Sequence, residues 1–311
     1  MATWTDDMVT TSIAGNFIPE LWSDEVIGAY KSNLVIANLV TKLNHRGKKG
    51  DTIHIPVPAR GSASAKAANT QVTLSAATNS VVNVSLDKHY EYSKLIEDIA
   101  EVQALASMRK FYTDDAGYAL AKQVDSDLID LGEGFQGGAT TDGSYTTAYI
   151  GSGATNWSGT NEADITDAGL RALILVLDNA DVPMDNRSLI IPPICANDLL
   201  GINRFTEEAY IGSGDALRTG KIGQIYGIDV FISTNCDTTG SGGGTGSSGG
   251  GDERVGILMH KDALVLAEQV GVRSQTQYKQ EYLGDLFTSD TIYGVKELRN
   301  DAGLAFVVPA S

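Results

Sequence analysis

The sequence predicts an α+β protein assembled from an arm, a long two-stranded excursion, one very long helix and a compact region of alternating elements. Three observations carry this prediction. Apolar residues alternate with period two on both sides of a small-residue tract between Gly61 and Ser80. They then recur at three- and four-residue steps from about Lys94 to Leu131. From Asp164 onward, helix and strand signals take turns.

Residues 1–44 read as an arm. Phe17 to Trp22 and Leu34 to Ala37 are apolar islands in polar surroundings, and Glu20 to Tyr30 is a short helix candidate. Such a segment has no core of its own and lies on something else. The strands of the excursion are Thr52 to Val57 and Val82 to Leu86. Pro56 and Pro58 lack the N–H a ladder needs, so the first strand belongs at an edge. The tract between them carries only Lys66 as a charge and no large apolar face.

The helix places Leu95, Ile99, Val102, Leu105, Tyr112, Ala116, Ala119, Leu120 and Leu128 on one side. Asp and Glu residues occupy the other, and Gly132 and Gly134 supply the stop. Unbroken, it would be a rod of about 57 Å. That is longer than the ~50 Å diameter of a sphere of this chain. Residues 132–160, rich in Gly, Ser and Thr and holding Trp157, read as a surface hairpin or loop. A helix at Gly169 to Asp178 follows, then a strand at Ser188 to Ile191 and a short helix at Ala196 to Leu200. Further strands are expected at Ile228 to Ser233, Val255 to Met259, Tyr278 to Tyr282, Thr291 to Leu298 and Leu304 to Val308. Gly240 to Gly251 contains only Gly, Ser and Thr and reads as a flexible loop.

Composition narrows the function. The chain has 311 residues and a net charge of -16, which argues against a protein that grips nucleic acid through clustered cations. Its hydrophobic content of 42% is that of a globular chain. No apolar run is long enough to span a bilayer, and the start lacks a secretory layout, so a cytosolic start is expected. Cys195 and Cys236 read as a reduced pair. His45, His54, His89 and His260 show no metal-ligand spacing.

Formal motifs fail on context. Gly244 to Gly249 fits G-x-G-x-x-G and Gly246 to Gly250 fits G-x-S-x-G, but both lie in low-complexity glycine without the strand and helix that the chemistry needs. Gly214 to Ile222 resembles a phosphate loop with one residue too many and Ile222 where a hydroxyl must hold magnesium. Asp125, Asp127 and Asp130 read as a solvated or partner-facing acidic stripe. The sequons at Asn83 and Asn156 lack an export signal. No nucleophile, histidine and acid set is visible, so no catalytic residue, metal or cofactor is expected and an enzyme is disfavoured.

One charge run stands out. Between Thr41 and Lys66, Lys42, Arg46, Lys48, Lys49, Arg60 and Lys66 face a single acid, Asp51. Such a run is a solvated turn or the base of an arm that docks on an acidic neighbour. Half of the excursion from Asp51 to Lys88 extends to about 60 Å. That exceeds the reach of its own domain, so an extended tip would lie across another copy. Arg46, Lys48, Lys49, Arg60 and Lys66 are therefore the candidate assembly-interface residues.

The order of these parts, with several local phrases, resembles the major capsid proteins of tailed bacteriophages, the Johnson fold. The phrases are Gly50 to Pro56, then Leu177-Asp178 through Val182-Pro183 to Arg187, then Ile190 to Pro193 and Asn203 to Phe205. Leu217 to Gly223, Tyr226 to Ile228 and Tyr293 to Val295 follow in sequence. The resemblance implies an arm over 1–44, an extended β-hairpin loop over 45–89, and a peripheral domain over 90–160 with the long spine helix. Residues 270–311 would complete that domain, and an axial α/β domain would occupy 161–269. It implies a structural protein of the virion, assembled in the host bacterial cytoplasm into pentamers and hexamers of an icosahedral head. That head would enclose double-stranded DNA, with scaffolding, portal and decoration proteins as partners and no membrane. The alternatives are an encapsulin-like nanocompartment shell and, further off, a soluble enzyme or glycan-binding protein.

Overall fold

In a computed structural model of the chain, the described residues are 35–45, 50–58, 63, 65–66, 68–72, 79–97, 108–135, 149–154, 163–202, 223–236 and 254–309. The arm helix at Glu20 to Tyr30, the phrases at Asn203 to Phe205 and Leu217 to Ile222, the phosphate-loop look-alike, the 240–251 glycine loop and Trp157 all lie outside them.

The excursion is a two-stranded antiparallel ribbon of β2 (Thr52–Pro58) and β3 (Asn79–Ser85), registered from Thr52 opposite Ser85 to Pro58 opposite Asn79. In a two-stranded ribbon every strand is an edge, so Pro56 and Pro58 need give no N–H on their outer side. The ribbon is held at its base. Val84 and Leu86 are buried with Val265 and Ala267, and Ile53 and Ile55 pack on the same cluster. The Leu86 amide donates to the Asp51 carbonyl at 2.7 Å, and Gln269 Nε2 donates to the Gly50 carbonyl at 3.0 Å.

The ribbon base rests on a four-stranded sheet of order β1-β10-β11-β4. β1 (Thr41–Asn44) runs parallel to β10 (Leu264–Lys279), which forms a hairpin with β11 (Gly284–Glu297), and β4 (Lys88–Glu97) closes the far edge. A second sheet of order β5-β12-β9-β6-β8-β7 comprises β5 (Tyr149–Ile150), β6 (Arg187–Ile191), β7 (Gln224–Ile225), β8 (Ile228–Ile232), β9 (Arg254–His260) and β12 (Gly303–Val308). Helices α2 (Asp167–Asn179) and α3 (Pro193–Gly201) pack on it through Leu170, Leu173, Leu177 and Leu199. Thr166 accepts the Gly169 amide at 3.0 Å and so caps α2. The buried Arg187 closes the turn after α2 by donating to the Val182 and Pro183 carbonyls and pairing with Asp178 at 2.7 Å.

Two neighbouring crossings join the sheets, one at Lys261 to Ala263 and one at Leu298 to Ala302. The Ala263 carbonyl accepts both the Leu298 and Arg299 amides and staples the crossings together. The line expected between 269 and 270 thus falls inside β10, and β12 belongs to the sheet that contains β6 and β9.

The long helix is α1 (Met108–Glu133), 26 residues and about 39 Å. Its expected start is corrected: Lys94 to Glu97 is the end of β4, paired with β11 from Lys94 opposite Phe287 to Glu97 opposite Gly284. Leu95 and Ile96 fit either period, and the β11 ladder decides for the strand. Two smaller corrections follow the same logic. Ile150, expected in a surface loop, is buried beside Val307 in the six-stranded sheet. The segment from Tyr278 to Tyr282 is where the chain leaves β10 and reverses, not a separate strand.

Where β3 crosses β11 the backbones touch. A Cβ at Gly294 would lie 2.1 Å from the Ser85 carbonyl oxygen, so only glycine fits. Gly294→Ala is expected to push the ribbon base off the sheet and lower subunit stability by about 1–3 kcal/mol. Urea unfolding of the unassembled chain measures this, with a lower midpoint the expected result.

Candidate assembly interface

The expected interface residues meet the structure unequally. Arg46, Lys48, Lys49 and Arg60 lie outside the described residues, and Lys66 is described and exposed. Lys42, at the root of the same run, is exposed on β1 and donates to Asn38 Oδ1 at 3.0 Å.

The acidic stripe expected on the spine is corrected in part, since Asp130 is exposed but its two companions are not. Asp125 and Asp127 are buried, at 0% and 5% exposure, and both are spent inside the subunit. Asp125 Oδ1 accepts the amides of Val35 and Ile36 at 3.1 and 2.9 Å, while Oδ2 accepts Asn235 Nδ2 at 3.1 Å. Asp127 Oδ2 accepts the Tyr293 hydroxyl at 2.6 Å and pairs with Lys88 Nζ at 2.9 Å, and Oδ1 accepts Gln123 Nε2 at 3.0 Å. Further along, Asp115 accepts the Tyr92 hydroxyl at 2.9 Å. These three carboxylates fasten α1 to the arm root, to β4 and to β11. Period alone hid this, since a buried, hydrogen-bonded carboxylate and a solvated one look alike in sequence.

Burial sets the proton affinities here. It raises the Tyr293 phenol well above its ordinary range, and the Asp127 carboxylate that it donates to adds to the effect. Burial likewise, with Asp115, pushes Tyr92 up to about 12. For Lys88, burial works against the ammonium, but the hydrogen bond and charge of Asp127 outweigh it and leave the group raised. Both phenols therefore stay neutral donors at physiological pH. Cys195 and Cys236 are buried thiols whose burial pushes them up, Cys236 to about 12, so neither is a reactive thiolate.

The surface that remains is the outer half of the β10–β11–β4 sheet. Residues 272–278 of β10 are exposed in an unbroken row, so neither face of that strand is covered. The sheet is cross-linked by polar side chains. Arg273 grips Asp290 with two bonds of 2.7 and 2.8 Å, His89 Nε2 reaches Asp290 Oδ2 at 3.2 Å, and Ser274 meets Ser289 at 2.7 Å. Val272, Tyr278, Tyr282 and Leu283 are exposed along the hairpin, while the exposed Leu95 of β4 stands across from Leu286 and Gln277 and so on the opposite face from Tyr278. Leu283 adopts a positive φ of 46° in the reversal. A branched apolar residue there is strained and uncovered at once. The signal that finds this patch is apolar residues in a turn where polar ones are the rule, Tyr282-Leu283 before Gly284.

Comparison with known proteins follows the fold. The family model described as Phage capsid protein matches residues 36–292. A structure from Mycobacterium phage Che8 is 24% identical, with a TM-score of 0.73 over 94% of this chain and 97% of its own. The capsid of Cyanophage P-SCSP1u is 17% identical, at 0.73 over 98% and 97%. The capsid asymmetric unit of Cyanophage Pam1 is 14% identical, at 0.69 over 97% and 99%. At these identities the structures establish the fold. No curated protein matches the chain.

Two measurements test the geometry. Asp127→Ala leaves a buried phenol and an ammonium without their acceptor. It should cost about 2–4 kcal/mol, reduced from a fully buried pair because the Lys88 side chain remains 32% exposed. Tyr293→Phe should cost only about 1–2 kcal/mol. Both are read by urea unfolding of the unassembled chain. The second measurement is acid dependence. The Arg273 guanidinium holds Asp290 below the usual carboxylate range, outweighing burial, and His89 adds to it. A depressed folded value stabilises above the unfolded one and is lost as pH falls through the folded one. The gap in unfolding midpoint between the wild type and Asp290→Asn should therefore be full at pH 7 and shrink below about pH 4.

Proposed function

This chain belongs to the phage capsid protein family, and from that premise we propose how it builds its shell. It is a structural, non-enzymatic major capsid protein that self-assembles into the icosahedral head, and its place is the virion. The match of the family model across residues 36–292 carries this conclusion. The same match favours a phage head over a cellular nanocompartment shell.

The finer reading is ours. Copies form pentamers and hexamers, assemble in the host bacterial cytoplasm and close around double-stranded DNA, with scaffolding and portal proteins as partners and decoration proteins as further ones. The arm of 1–44 and the extended loop of 45–89 are the elements that reach toward neighbours, with the arm root docked in the body through Ile36, Val40 and β1. The four-stranded sheet with the spine forms the peripheral part, and the six-stranded sheet with α2 and α3 forms the axial part. An acidic chain lines such a container without trapping what is fed into it.

The ribbon lies over an adjacent copy, and the cations at and beyond its base, Arg46, Lys48, Lys49, Arg60 and Lys66, meet acidic groups there. What supports this is their clustering in a chain of net charge -16, together with a ribbon whose described packing lies at its base. Asp125 and Asp127 of the spine are used internally and are not available as targets, whereas Asp114 and Asp130 of the same helix are exposed. The target is an exposed carboxylate set on the neighbour.

Negative-stain microscopy of the expressed chain after sedimentation, with scaffold co-expressed where the chain alone fails, tests the shell. Closed shells or capsomer rings are expected, and a monomer of 32.9 kDa under both conditions would count against it. Replacing Arg46, Lys48 and Lys49 together by Glu should lower shell yield and change its salt dependence. Unchanged yield and salt response would remove the docking role from those three residues while leaving the shell in place.

A further inference from the structure

We propose that Asp125 is a three-way latch that makes docking of the arm root conditional on the position of the turn at residues 233–236. Among the described residues the arm root opens on a 3-10 turn, Ile36–Asn38, which has no side-chain cap of its own. Its first amides are orphan donors. Asp125 supplies the missing cap from 90 residues away, with Oδ1 accepting both Val35 and Ile36. The apolar half of the contact lies alongside, where Ile36 and Val40 are buried with Leu128, Ile129 and Cys236.

The other oxygen of the same carboxylate belongs to a different part of the fold. Asn235 Nδ2 donates to Asp125 Oδ2, and Asn235 is itself fixed. Its amide donates to Ser233 Oγ at 3.2 Å, the Ser233 amide donates to the Ile191 carbonyl at 3.0 Å, and Arg254 Nη1 donates to the Cys236 carbonyl at 3.0 Å. The turn is thereby tied to β6 and β9. One fully buried carboxylate joins the arm, the spine and the six-stranded sheet.

The coupling follows from desolvation. If Asn235 withdraws, Asp125 Oδ2 becomes a buried charged oxygen without a donor, a costly state. The carboxylate relieves that cost by turning toward water or another donor, and the geometry that serves Val35 and Ile36 with the opposite oxygen goes with it. Displacing the 233–236 turn relative to α1 thus loosens the arm root without touching it. The latch stands independently of the shell reading, which only supplies a reason for two parts of the subunit to shift.

Hydrogen exchange on the full chain, followed in peptides that cover residues 35–40 and 254–260, tests the latch. Asn235→Ala removes no hydrogen bond that the arm itself makes, and it is expected to speed exchange at 35–40 by about tenfold. Asp125→Ala should speed it further, with 254–260 unchanged in both variants. Faster exchange in Asp125→Ala alone would show a cap without coupling and overturn the proposal. Unchanged exchange in both would overturn it too. A uniform rise in every peptide would mark the site as merely structural and would equally overturn it.

Discussion

The fold depends on two carboxylates that a long helix carries into its interior. Asp125 and Asp127 are two residues apart, which places them about 200° apart around the helix axis. They therefore serve nearly opposite sides. One side takes the arm root and the 233–236 turn, and the other takes Tyr293, Lys88 and Gln123. A helix enclosed on both sides cannot leave a carboxylate bare, because an unpaired buried charge costs more than most single contacts return. Every element that supplies a donor is thus held to the spine in one arrangement. Apolar packing by Leu128 and Ile129 provides cohesion around the same stretch, but it is non-directional and tolerates shifts that the carboxylates do not.

How much of this was legible can be argued from particular residues. The α+β class, the ribbon from Thr52 to Ser85, the helix through Tyr112 to Leu131, and the strands around Leu189, Val230 and Ile257 follow from periodicity, which burial enforces locally. The end of β4 did not, because Leu95 and Ile96 suit both periods and only the partner strand β11 settles them. The two aspartates were misread for a related reason. Their partners stand 90 and 166 positions away in the chain, and no local rule sees that far. The strained Leu283 and its exposed neighbours were readable as turn residues of the wrong kind, a signal that is plain only once the reversal is located.

Several phrases behind the family resemblance sit at junctions. Gly50 and Asp51 give the carbonyls that hold the ribbon base. Asp178, Val182, Pro183 and Arg187 form a single clamp around a turn. Tyr293 and Gly294 are the two points where β11 meets the spine and the ribbon, one through a phenol and the other through the absence of a side chain. The candidate interface cations were singled out by charge patterning alone, and of the five only Lys66 lies among the described residues, where it is exposed.

The paired crossings between the sheets have a mechanical consequence. β9 passes into β10 and β11 passes toward β12 side by side, and the Ala263 carbonyl ties the two passages together. A pull on the outer hairpin is therefore transmitted to the six-stranded sheet through two continuous backbones running in opposite directions, not through side-chain friction. Such a joint resists stretching and sliding while leaving bending as the soft mode. Strain in a shell of these subunits would then appear first as tilt between the sheets, with their ladders intact.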